Sequence, residues 1–174
     1  MVEPFLKLLN KLTQLVKPSK EVEEKTFELL IKPMYKDMET IHKDYLKLFE
    51  KCKQAVEDGT GVDDIVSILS SARAEHGALR DSVRLFVYCY IENSQLYDYR
   101  FFFKELERYL LLISREIPPL MSSESIGTFQ KSIIGMYPLN PTKRKILADH
   151  TENILKSLRV KWEDISKEYA KLMA

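Results

Sequence analysis

Cysteine is scarce in this chain. Cys52 and Cys89 are the only two, too few for a disulfide framework and wrongly spaced for a zinc ribbon. Glycine is scarce as well, with five residues. Asp58-Gly59 is the one dipeptide of the kind that closes tight hairpins, which argues against a fold built from many short strands. No apolar run approaches the ~18 residues a membrane-spanning helix needs. Charge of one sign is missing too: 27 basic residues stand against 26 acidic ones, a net charge of +1. A chain so balanced has no global attraction to nucleic acid, anionic membrane or acidic substrate. Glycine-rich phosphate loops, nucleophile elbows, paired-cysteine motifs, internal repeats and low-complexity tracts are also lacking. The first twenty residues carry neither an apolar signal core nor a small-residue cleavage site, so a cytoplasmic protein is expected. What is present is 174 residues, 45% of them hydrophobic. That suffices for one well-filled core, and the expectation is a single all-α domain spanning residues 1–174.

Apolar spacing sets out the helices. Phe5, Leu8, Leu9, Leu12, Leu15 and Val16 predict a short helix over 5–16, opened by Pro4 and closed by Pro18. Phe27, Ile31, Met34, Met38, Ile41, Tyr45, Leu48, Cys52 and Ala55 alternate steps of four and three, a coiled-coil-like stripe. They predict one long helix over 19–57, of about 58 Å at 1.5 Å per residue. Pro33 lies inside it and should kink or break it by crowding the carbonyl of Leu29. After a turn at 58–61, a second stripe (Val62, Ile65, Leu69, Ala72, His76, Leu79, Val83, Phe86 and Tyr90) predicts a helix over 62–92. The two stripes should pair as an antiparallel hairpin, with Tyr45 level with 74–76 and His42 sharing a level with His76.

The register then shifts by two residues, read as a break near Asn93 and Ser94. Tyr99, Phe102, Leu106, Tyr109 and Ile113 define a helix over 95–115. It is richer in apolar residues than a bundle helix needs: nine of the thirteen from Phe101 to Ile113 are Phe, Leu, Tyr or Ile. A proline-rich connector over 116–141 follows. A final helix over 142–173, capped by Thr142, turns Leu147, His150, Ile154, Leu158, Trp162, Ile165, Tyr169 and Leu172 inward. The sum is an elongated, mostly antiparallel bundle of four main helices plus the short N-terminal one.

The three histidines hold most of the chemical interest. His76 and His150 fall on apolar stripes, and His42 forms a Glu-x-x-His pair with Glu39 on one helical face. Glu39, His42, His76 and His150 are therefore candidate ligands of a mononuclear metal site, although the two-fold ligand set of a di-metal carboxylate bundle is missing. The competing reading is half-buried histidines bonded to their neighbours, with no cofactor.

Arg144 and His150, with five residues between them at the start of the last helix, resemble the Arg-x(4–6)-His motif of the HEPN ribonucleases, small all-α bundles that usually dimerise. The resemblance implies metal-independent RNA cleavage, with Arg144 positioning phosphate and His150 assisting proton transfer. Lys145 departs from the polar uncharged or acidic residue common after that Arg.

The surplus of apolar side chains on the fourth segment points elsewhere. Phe101, Phe103, Leu111 and Leu112 are the candidate interface, covered by a second copy of the chain in a dimer or by another protein, the competing explanation being a monomer in which residues 1–16 and 116–141 cover them. The reading favoured by the sequence is a non-enzymatic interaction or assembly protein; nucleic acid is not expected as a partner.

Overall fold

The computed structural model describes residues 24–68, 83, 87, 99–113 and 139–173. Among them every regular element is a helix and none is a strand, so the fold is all-α. No helix there is long and apolar enough to cross a membrane. The first of them, α1 (Lys32–Glu57), continues upstream through a π-helical turn, Phe27–Ile31. Pro33 explains that turn. A proline lacks the N–H that would bond Leu29, and its ring would collide with the same carbonyl. The chain takes in one extra residue, so that the Lys32 N–H donates to the Phe27 carbonyl five positions back. The collision is absorbed by a π-bulge inside a continuous helix.

The far end of α1 is closed by a Schellman arrangement. The Thr60 N–H reaches back to the Ala55 carbonyl (2.9 Å) and the Gly59 N–H to that of Val56 (3.3 Å). This geometry puts Gly59 at φ 84°, which only a residue without Cβ adopts cheaply. A second helical segment then covers 62–68, with Ile65 buried.

Two further helices complete the described core: α2 (Arg100–Ile113) and α3 (Pro141–Leu172). Asn140, rather than Thr142, caps α3. Its side chain accepts from the Lys143 N–H while Pro141 takes the first helical position, where a missing donor costs nothing. On α1 the buried face is wider than the heptad stripe. Ile31, Met34, Met38, Ile41, Tyr45, Leu48 and Cys52 are buried, but so are Leu30, His42, Phe49 and Val56. A helix covered on more than one side needs such extra positions.

Helix α3 is the central element, packing against both α1 and α2. Tyr35 meets Tyr169 and Ser166, His42 meets Trp162, Lys53 meets Glu152, and Arg144 meets the turn after Val56. The order runs backward on α3, so the two helices are antiparallel. Phe102 lies against Tyr169 and Tyr109 against Trp162, so α2 is antiparallel to α3 too. It follows that α1 and α2 run parallel, held apart in sequence and together in space by α3.

The predicted pairing of 27–55 with 62–90, the 5–16 helix and most of the 116–141 connector lie outside the described residues, as do His76 and Cys89. Phe103 requires a correction: it is wholly buried and cannot belong to an exposed interface. Phe102 and Phe103 turn into the core with their rings edge to face, while only Phe101 of the three points outward.

Candidate functional site

The polar side chains that matter gather at the middle of the three-helix core. His42 comes from α1, Tyr109 from α2 and Trp162 from α3. His42 is 5% exposed, its Nδ1 lies 2.8 Å from the Tyr109 hydroxyl, and its ring is stacked on Trp162 at 4.9 Å and 12°. Tyr109 meets the same indole edge-on at 6.1 Å. The stack continues outward: Trp162 lies on Tyr35 at 5.1 Å, and Tyr35 on Tyr169 at 3.9 Å and 7°. The Tyr35 hydroxyl and Ser166 Oγ share a hydrogen bond of 3.0 Å. Offset and edge-on ring pairs of this kind add stability beyond the area they bury, about 0.5–1.5 kcal/mol each.

Burial governs how this group titrates. Loss of water pushes the His42 imidazole down to about 4, helped by Arg159 and Lys43 and opposed by Glu39. At neutral pH the ring is uncharged. The Tyr109 phenol is pushed well above its ordinary range by burial and by Tyr45, and so stays protonated. Cys52 is buried as well, its thiol pushed up to about 12, which makes it unreactive.

Among the described residues, the candidate metal ligands Glu39, His42 and His150 do not converge. Glu39 bonds Lys43 one turn on, at 2.8 Å, and His42 directs Nδ1 to Tyr109. His150 lies half-buried two turns from the start of α3. No three His, Cys, Asp or Glu side chains among the described residues are placed to hold a metal ion.

Arg144 is engaged across the bundle. Its guanidinium reaches across to the end of α1, donating to the carbonyls of Val56 (3.2 Å), Thr60 (3.3 Å) and Gly59 (3.0 Å). These carbonyls belong to the last turn of α1 and the turn that follows it, the pole where a cation is favoured. His150, six residues later, is rotated from Arg144 by roughly 120° around α3 at 3.6 residues per turn. The structure therefore does not bring the two onto one face. Arg144→Ala should lower stability by about 1.5–3 kcal/mol, the range for hydrogen bonds from a charged donor. Arg144→Lys should restore only part of it, since a single ammonium cannot span three carbonyls. Urea midpoints of the three proteins decide the matter; equal midpoints would show the clasp to be idle.

Outside the core, the charged side chains mostly serve one another. Along the α1–α3 seam an open groove of about 310 Å³ is lined by Glu50, Lys53, Glu152 and Arg159. Lys53 bonds Glu152 at 2.9 Å and Arg159 bonds Glu50 at 3.2 Å. The first pair holds the Glu152 carboxyl below, and the Lys53 ammonium above, its usual range. No protein-family model, curated protein or solved structure matches this chain.

Sequence reasoning named His42 but not its partners. Tyr109 and Trp162 were assigned to apolar stripes, and nothing local marks a phenol 67 residues away as the histidine's hydrogen-bond partner.

Proposed function

We propose that the chain is a non-enzymatic interaction or assembly protein of the cytoplasm that associates with itself. The observation that carries the reading is the outer face of α2. Phe101 is 53% and Leu111 41% exposed on a helix whose other large apolar side chains are buried or half-buried, Leu112 among the latter. Arg100 lies over the Phe101 ring, 4.4 Å from its centroid, a contact that shields one ring face. Phe101, Lys104, Arg108 and Leu111 follow helical spacing on this side, so an apolar contact at each end flanks two cations.

The commitments of the other groups favour the same reading. Arg144 is engaged by the end of α1, and His42 and Tyr109 are closed in the core. A HEPN-type nuclease would have to withdraw the guanidinium from its three carbonyls before it could meet a phosphate.

Sedimentation at micromolar concentration is expected to give a mass above the 20.4 kDa of one chain. Phe101→Glu with Leu111→Glu, both at exposed positions, should return the monomer without loss of helix content. A wild-type protein that is monomeric at these concentrations would remove self-association from the proposal. RNA cleavage abolished by His150→Ala would replace it with the nuclease.

A further inference from the structure

The exposed residues of α2 are of two kinds only. Arg100, Phe101, Lys104, Arg108 and Leu111 face solvent, while both acids of the helix, Glu105 and Glu107, are half-buried. At 3.6 residues per turn, Phe101, Lys104, Arg108 and Leu111 lie within an arc of about 80°. They form one seam with steps of three, four and three, the spacing by which one helix recognises another. Phe101 and Leu111 end the seam about 15 Å apart, and the two cations stand between them.

Little acid is left to neutralise this face. Glu105 is bonded to Arg108, and Lys104 has no ion-pair partner among the described residues. On α3, Asp164 and Glu168 border Arg108 across a shared cleft. Each is held by a lysine of its own helix, Asp164 by Lys161 at 3.6 Å and Glu168 by Lys171 at 2.6 Å.

A second copy complements the apolar ends of the seam but not its cations. Copies related by a two-fold axis bring the same patch together. With the helices antiparallel, Phe101 meets Leu111 and Lys104 meets Arg108; with them parallel, each cation meets its own duplicate. Either alignment sets like charges face to face, which weakens association. A helix with carboxylates at the two middle positions removes the repulsion and keeps the apolar contacts. We infer, resting on the reading of this face as an interface, that its preferred occupant is an acidic amphipathic helix of another protein, with two carboxylates between two apolar residues. An anionic lipid surface suits the face less well, because Arg100, Lys104 and Arg108 fall short of the roughly four to eight cations of a lipid-binding cluster.

The probe is a fluorescent, alanine-based helical peptide of about 20 residues, long enough to hold a helix in water. It carries leucine, glutamate, glutamate and leucine at steps of three, four and three. Titrated with the full chain, its anisotropy should report binding that weakens about fivefold between about 0.05 and 0.5 M salt, as the ion pairs are screened. A peptide with lysine in place of both glutamates should bind about tenfold more weakly. Lys104→Glu with Arg108→Glu, both at exposed positions, should reverse that preference. Circular dichroism establishes that the variant is folded; Lys104→Glu alone, expected to erase the preference, replaces the pair should the pair not fold.

Equal affinity of wild type for the two peptides, or an unaltered preference in the folded variant, would overturn the inference, since the cations would not be the groups recognised. So would capture of wild type by phosphatidylserine vesicles with no binding of the acidic peptide. Sedimentation separates this outcome from self-association. A monomer that binds the acidic peptide sustains the docking site and removes self-association, whereas a dimer that the peptide neither binds nor dissociates does the reverse.

Discussion

Phe103→Ala is expected to cost about 3–5 kcal/mol, the range for removing a large aromatic ring from a close-packed core. Phe101→Ala, two residues earlier, should change stability by no more than about 0.5 kcal/mol, as exposed positions do. The difference follows from orientation alone. Phe103 is wholly buried and meets Phe102 edge to face, whereas Phe101 is more than half exposed beneath Arg100. A domain of this size has about 5–15 kcal/mol in hand, so the Phe103 variant should lose a large share of its stability. Urea titrations of the two variants check this directly. Comparable losses would mean that Phe101 is covered as well, and the free face of α2 would disappear with it.

Acid should weaken the fold through His42. An unfolded histidine titrates near 6.5, while the folded ring is held at about 4. Between those values the unfolded chain binds a proton that the native chain refuses, so unfolding is favoured as pH falls. The contribution is complete above about pH 6.5 and is lost progressively toward pH 4, where it amounts to roughly 2–3 kcal/mol. The groups facing the ring from the three helices are Glu39 and Lys43 on α1, Tyr109 on α2 and Arg159 on α3. Glu39 alone among them favours the imidazolium. Denaturant midpoints at pH 7, 5.5 and 4 should fall more steeply for wild type than for His42→Gln. Trp162 provides a second readout, because protonation of the ring stacked on it should quench its fluorescence. Parallel pH profiles for the two proteins would place the acid sensitivity elsewhere.

What the sequence revealed and what it withheld divide along a physical line. Periodicity reports which side of a helix is apolar, so Met34, Met38, Ile41, Tyr45, Leu48 and Cys52 were legible as core residues before any coordinates. So were Tyr99, Phe102, Leu106, Tyr109 and Ile113, all of them buried. Leu30, Phe49 and Val56 were not, because a single stripe underestimates a helix covered on more than one side. The cap of α3 was placed two residues late. Thr142 and Asn140 are both acceptable caps, and Pro141 at the first helical position decides between them. Partnerships across the bundle were illegible in principle: His42 with Tyr109, and Arg144 with the turn at 59–60. Each joins residues more than sixty positions apart, and no local pattern encodes such a distance. Arg144 is instructive, since a basic residue at a helix start reads equally well as a phosphate binder or as a clasp for a neighbouring helix end.

The clasp also orders events in time. The side of α1 that carries Tyr35, His42 and the carbonyl of Val56 is completed by Ser166, Trp162 and Arg144. These residues are made roughly a hundred positions later, a delay of roughly 5–20 s at 5–20 residues per second. Throughout that interval the nascent helix presents Met38, Ile41 and His42 without the surface that will finally enclose them. The side of α1 that packs against α3 is therefore completed only once α3 has been made.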